Sequence, residues 1–115
     1  MLIRIDVEST RPLYEQIADA VRGAIGRAEL GAGDRLPASN ELAEAVGVNV
    51  HTVLRAYAQL RDEGLIELRP RRGGVVRASA PLRAPLIDQA RRLVEVAQHH
   101  GLSRSEILDL VAGEL

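Results

Sequence analysis

The sequence has no cysteine, lysine, tryptophan or phenylalanine, and its only aromatic residues of the Phe/Trp/Tyr type are Tyr14 and Tyr57. Without cysteine there is no disulfide scaffold, thiolate metal site or cysteine nucleophile. Three histidines leave most zinc constellations unfilled. Two tyrosines cannot build the stacking platforms on which single-strand and RNA binders rely. No stretch approaches the ~18 apolar residues of a membrane span, and residues 1–9 carry no apolar run of signal-peptide length. A soluble, cytoplasmic protein is expected.

The 115 residues that are present suit one domain with a short appendage. All 15 basic residues are arginine, set against 16 acids for a net charge of −1. The sum says less about a nucleic-acid partner than its distribution does. Residues 69–83 hold five arginines and no acid, whereas residues 1–34 hold four arginines and six acids.

Residues 2–7 alternate imperfectly and predict a short strand. Pro12 fits the first turn of a helix, and Leu13, Ile17, Val21 and Ile25 at steps of four carry it to about Leu30. Gly31 to Asp34 ends it. A shorter helix follows over Ser39 to Val46, stopped by Gly47. Asn49 caps the next, which buries Val53, Ala56, Tyr57 and Leu60 and stops at Glu63-Gly64. Leu65–Arg69 and Val75–Ala78 read as strands around a Pro-Arg-Arg-Gly-Gly turn. Ala80–Pro85, with two prolines, reads as a linker. Leu86, Ala90, Leu93, Val94 and Ala97 mark a fourth helix, and Ser103 with Glu106 forms a capping box for a last one.

Function is concentrated in residues 39–60. Ala43 is small where two helices cross, Gly47 supplies the turn, and Val53 anchors the second helix. That is a helix-turn-helix, whose second helix offers its N-terminal residues to the major groove. A hairpin follows it, and the tip Arg71-Arg72-Gly73-Gly74 joins charge to backbone that can approach phosphates or a minor groove. The fold class expected is mainly α (α+β): a winged helix-turn-helix over 1–79, a linker over 80–85 and a two-helix dimerisation tail over 86–115.

The segment Pro12–Val76 resembles the DNA-binding domain of GntR-type bacterial transcription regulators. The likeness rests on Pro12-Leu13-Tyr14-Glu15-Gln16-Ile17, Gly33-Asp34-Arg35-Leu36-Pro37, Glu41-Leu42-Ala43, Gly47-Val48, Thr52-Val53, Arg55-Ala56-Tyr57 and Glu63-Gly64-Leu65-Ile66. The short remainder resembles the YtrA-type subfamily, whose two C-terminal helices pair two subunits. The resemblance implies that Arg35 reaches the DNA backbone, although pairing with Asp34 or Glu41 is the alternative. Many relatives carry arginine where this chain has Asn40 and Val50, positions that commonly touch DNA. Asn49-Val50-His51-Thr52 replaces the commoner Ser-Arg-x-Thr, and Arg71 stands at the first glycine of a Gly-Arg-Gly wing. The operator of better-known relatives therefore does not transfer.

The candidate DNA-binding residues are Arg35, Asn40, Asn49, His51, Thr52, Arg55, Arg71, Arg72 and Gly73. Asn49 can cap its helix and touch a phosphate at once. His51 suits a base or phosphate, Thr52 a phosphate or a thymine methyl, and Arg55 a phosphate. Tyr57 belongs to the core, and Tyr14 to the core or an interface. In the tail, Leu86, Ala90, Leu93, Val94, Ile107, Leu108 and Val111 form apolar faces that two short helices cannot bury alone. They fold back on the first domain or, as favoured here, meet a second copy.

Adjacent His99 and His100 point in different directions on a helix, and a helix C-terminus accounts for them without a metal. No paired carboxylates or Ser-His-Asp arrangement can be read, so no catalytic residue, metal or cofactor is expected. The expectation is a non-enzymatic dimeric repressor on an inverted repeat in double-stranded DNA. The rival is a winged-helix protein-interaction module whose tail docks a partner protein. A small-molecule effector, should one bind, would sit between the tail helices or across the dimer.

Overall fold

The computed structural model describes residues 3–70 and 73–115. The chain divides into two units, Met1–Pro85 and Leu86–Leu115. In the first, Pro12 sets the entry to α1 (Leu13–Gly26), which buries Ile17, Ala18, Val21, Ala24 and Ile25. The helix ends four residues short of Leu30, because Ala28 turns left-handed with φ 62° and the Glu29 and Leu30 N–H groups both close on the Ala24 carbonyl. Before α1, the expected strand over 2–7 is absent in residues 3–7, and Leu2 lies outside the described residues. There the Gln16 side-chain amide takes the place of a neighbouring strand, accepting from the Asp6 N–H at 2.8 Å and donating to the Asp6 carbonyl at 3.0 Å.

The next two helices, α2 (Ser39–Val46) and α3 (Val50–Asp62), pack on one another, and α3 also packs on α1. Val53, Ala56, Tyr57 and Leu60 are buried on the inner face of α3. Burial pushes the Tyr57 hydroxyl well above its ordinary pKa, so it stays protonated and donates to the Pro37 carbonyl at 2.7 Å. Fully buried Arg22 also enters this layer, gripping Glu63 at the end of α3.

The hairpin pairs β1 (Ile66–Arg69) with β2 (Gly73–Val76), in register Ile66 to Val76 and Arg69 to Gly73. The second strand thus begins two residues earlier than the sequence pattern predicts. The cause is a third edge that the pattern did not show. The Leu36 N–H bonds the Gly74 carbonyl at 2.8 Å, Val76 N–H the Asp34 carbonyl at 2.9 Å, and Gly33 N–H the Val76 carbonyl at 2.8 Å.

Residues 80–85 are not an irregular linker. They open α4 (Ala80–His99), with Pro81 in the first turn, where its missing N–H costs nothing. Pro85 lies inside the helix and removes one hydrogen bond. Full burial of Ala80 and Ala84 one turn apart, together with the bond from Arg83 Nε to the Glu63 carbonyl at 2.7 Å, offsets that loss.

In the second unit the rest of α4 meets α5 (Arg104–Ala112) through a turn at Gly101, φ 83°. The Ser103/Glu106 capping box forms as the spacing predicts. Ala97 and Ile107 are buried, so Ile107 is already enclosed in the single chain. Leu86, Ala90, Leu93, Leu108 and Val111 are exposed, and Val94 is half-buried. Among the described residues no helix is long and apolar enough to cross a membrane, and no cluster of three His, Asp or Glu side chains converges on a metal-sized site.

Candidate nucleic-acid interface

The link between α2 and α3 is made by Gly47 at φ 82°, a left-handed conformation that a side chain would resist. The N–H groups of Gly47 and Val48 both close on the Ala43 carbonyl, at 2.9 and 3.0 Å. Ala43 and Val53 are buried where the two helices cross. With its inner face committed to the core, α3 turns His51, Leu54 and Arg55 outward, and Thr52 is half-buried. The Asn49 side chain caps the helix by accepting from the His51 N–H at 2.8 Å.

His51, Thr52 and Arg55 come together. With Leu13 and Tyr14 of α1 they line an open hollow of about 380 Å³ at the start of α3. The Arg55 guanidinium carbon lies over the Tyr14 ring, 3.9 Å from its centre. Five arginines of the first unit are ion-paired. Arg11 pairs with Asp19, Arg22 with Asp19 and Glu63, Arg27 with Glu29, Arg61 with Asp62 and Arg69 with Glu67. Arg55 and Arg35, like Arg4, Arg77 and Arg83, have no carboxylate partner among the described residues. Neither alternative pairing of Arg35, with Asp34 or with Glu41, is made; the Asp34 carboxylate instead accepts from the Gly31 N–H at 2.7 Å.

The remaining candidates are more dispersed. Arg35 is exposed, and its backbone bridges to Val75 beside the hairpin. Gly73 opens β2 at φ 69°, Asn40 is exposed on α2, and Arg71 and Arg72 lie outside the described residues. Two features had no mark in the linear pattern. Leu54 is 45% exposed on α3 between His51 and Arg55, and Tyr14 meets Arg55 across two helices. The step of four from His51 to Arg55 signals a shared face, but only tertiary packing brings Tyr14 to it.

The crossed helix pair, its glycine turn and the braced hairpin define a winged helix-turn-helix, a DNA-binding class of fold. Residues 13–76 match the family described as bacterial regulatory proteins, gntR family, and the chain belongs to that family of DNA-binding transcription regulators. It is 33% identical over 106 residues to the HTH-type transcriptional regulator Rv1152 of Mycobacterium tuberculosis, covering 92% of this chain and 88% of that one. It is also similar to the solved structure of YtrA from Sulfolobus acidocaldarius, a GntR-family transcription factor. That match has 40% identity and a TM-score of 0.64, and covers 80% of this chain and 99% of that one. The crystal structure of AraR(DBD) in complex with operator ORE1 matches at 25% identity and a TM-score of 0.57, over 66% of this chain and 93% of that one. Within its family the chain is YtrA-like.

Proposed function

We propose that the protein is a dimeric cytoplasmic repressor that binds an inverted-repeat operator in duplex DNA. The observation that carries the reading is the hollow at the start of α3, where His51, Thr52 and unneutralised Arg55 meet. The first turns of α3 enter the major groove, with Arg55 on a phosphate and His51 and Thr52 at base edges or phosphates. Asn49 offers its cap and a phosphate contact, and exposed Asn40 stands on the preceding helix. Arg35, Gly73 and the wing arginines Arg71 and Arg72 hold the flanking backbone or minor groove. The solved relative carrying operator ORE1 supports a duplex partner. Repression needs only occupancy of a promoter, whereas activation needs a further surface for the transcription machinery.

Fluorescence anisotropy against duplex DNA from the gene's own upstream region, with a scrambled duplex and two salt concentrations, tests this. The expected preference is at least about a thousandfold. Arg55→Ala should weaken binding to all sequences and lower the salt slope by about one unit. Absence of binding at low salt, or an Arg55→Ala variant indistinguishable from wild type, overturns the docking. A reporter fused to the bound promoter should rise when the gene is deleted; a fall identifies an activator instead.

A further inference from the structure

Arg55 is exposed and Tyr14 only half-buried, and neither belongs to the buried rows by which α1 and α3 pack. The inner faces of both helices close without them. Yet the two side chains meet with the guanidinium carbon 3.9 Å from the ring centre, at the rim of the hollow that also holds His51 and Thr52. Glu15, the neighbour of Tyr14 in the chain, makes no ion pair with Arg55; its carboxylate lies 4.0 Å from Arg11.

A guanidinium has two separable modes of interaction. Its face attracts an aromatic ring, and its N–H donors lie in its own plane, where they can fork onto a phosphate. An acid partner would consume those donors; a ring does not. A long side chain held by a ring also loses less freedom when a phosphate arrives.

We propose that Tyr14 is a positioning residue for DNA binding, its ring holding the Arg55 guanidinium at the hollow so that the N–H donors meet a backbone phosphate of the duplex. The inference rests on the DNA-contacting role given to Arg55 above. It assigns α1 a part in recognition: the entry turn of the first helix sets the reach of a cation on the third.

The test compares wild type, Tyr14→Phe, Tyr14→Leu, Arg55→Ala and the double variant Tyr14→Leu/Arg55→Ala, using operator anisotropy at two salt concentrations well below each melting temperature. Tyr14→Phe keeps the ring and should bind as wild type does. Tyr14→Leu should weaken binding about three- to fivefold and move the salt slope toward that of Arg55→Ala. In the Arg55→Ala background the same change should cost nothing more. Tyr14→Met supplies the comparison if the leucine variant does not fold. A silent Tyr14→Leu beside a damaging Arg55→Ala overturns the positioning role alone. An equal loss in both backgrounds, or a phenylalanine variant as weak as leucine, also overturns it. A wild type that ignores sequence, or a silent Arg55→Ala, overturns the DNA-contacting role and this inference with it.

Discussion

Arg22 of α1, with no exposed surface, closes on both carboxylate oxygens of Glu63, the residue that ends α3. Arg22 Nη2 donates to Glu63 Oε1 and Oε2 at 2.7 and 2.8 Å, Nε to Oε1 at 3.0 Å, and Nη1 to Asp19 Oδ1 at 2.6 Å. Burial alone would lower the pKa of the guanidinium. Hydrogen bonds and charge attraction from Glu63, then Asp19, outweigh it and hold the pKa above its ordinary value. The pair fixes the far end of α3 to the first helix. Removing Arg22 leaves the half-buried Glu63 carboxylate without its guanidinium partner, so Arg22→Met should cost about 1–3 kcal/mol of stability by urea unfolding. Replacing both, as Arg22→Met with Glu63→Leu, should recover most of that loss. A double variant no better than Arg22→Met would mean the ions themselves stabilise the fold.

The hairpin's third edge makes a second prediction. Gly74 sits so close to Leu36 that an added Cβ would stand 2.9 Å from Leu36 Cδ1 and 3.5 Å from Ile66 Cδ1. Leu36 is itself buried and cannot swing into solvent. Gly74→Ala should therefore destabilise by about 1–3 kcal/mol through overpacking. In a Leu36→Ala background the same substitution should cost much less. Equal costs in the two backgrounds would locate the strain in the backbone.

Local signals made the helix-turn-helix legible. Asn49 announces a cap, Gly47 and Gly64 sit at left-handed turns with φ 82° and 79°, and the apolar spacing of α3 matches its buried face. What stayed hidden depends on distant partners. Arg22 falls one turn after Ala18 and three residues before Ile25, on the buried side of α1, but an arginine reads as solvated until Glu63 is known to stand opposite. Residues 33–36 look like a breaker because Gly33 and Pro37 flank them, and only β2 makes them an edge. Two prolines argue against a helix at 80–85, and tertiary burial of Ala80 and Ala84 overrides them.

The capping box of α5 gives a pH prediction. The Ser103 backbone N–H, and then its side chain, hold Glu106 below the usual carboxylate range. Ser103 N donates to Glu106 Oε1 at 3.0 Å, and Glu106 N donates to Ser103 Oγ at 3.2 Å. A carboxylate depressed on folding contributes stability above its unfolded pKa of about 4.3, and that contribution is lost as pH falls through the lower folded value. Carbon-detected NMR titration of the full chain should give Glu106 a midpoint below that of an ordinary glutamate, and Ser103→Ala, which keeps the backbone N–H but loses the hydroxyl, should move it only part of the way back. A wild-type midpoint at the ordinary glutamate value would remove the capping box as a cause.

The apolar surface of the second unit bears on assembly. Leu86, Leu93, Val96, Leu108, Leu110 and Val111 are all at least 37% exposed, on α4 and on α5, which is too short to stand alone. Leu86, Ala90 and Leu93 recur at steps of four and three, the seam spacing of paired helices. A twofold pairing of these faces would bury them and present two recognition helices to half-sites about 34 Å apart, multiplying the selectivity of each. Light scattering should give wild type as a dimer and the double variant Leu93→Glu/Leu108→Glu as a folded monomer. That monomer should lose the preference for the full inverted repeat while keeping its weaker affinity for one half-site. A double variant that stays dimeric places the interface elsewhere. A monomeric wild type that still prefers a single half-site overturns the dimeric reading and leaves this face to a partner protein.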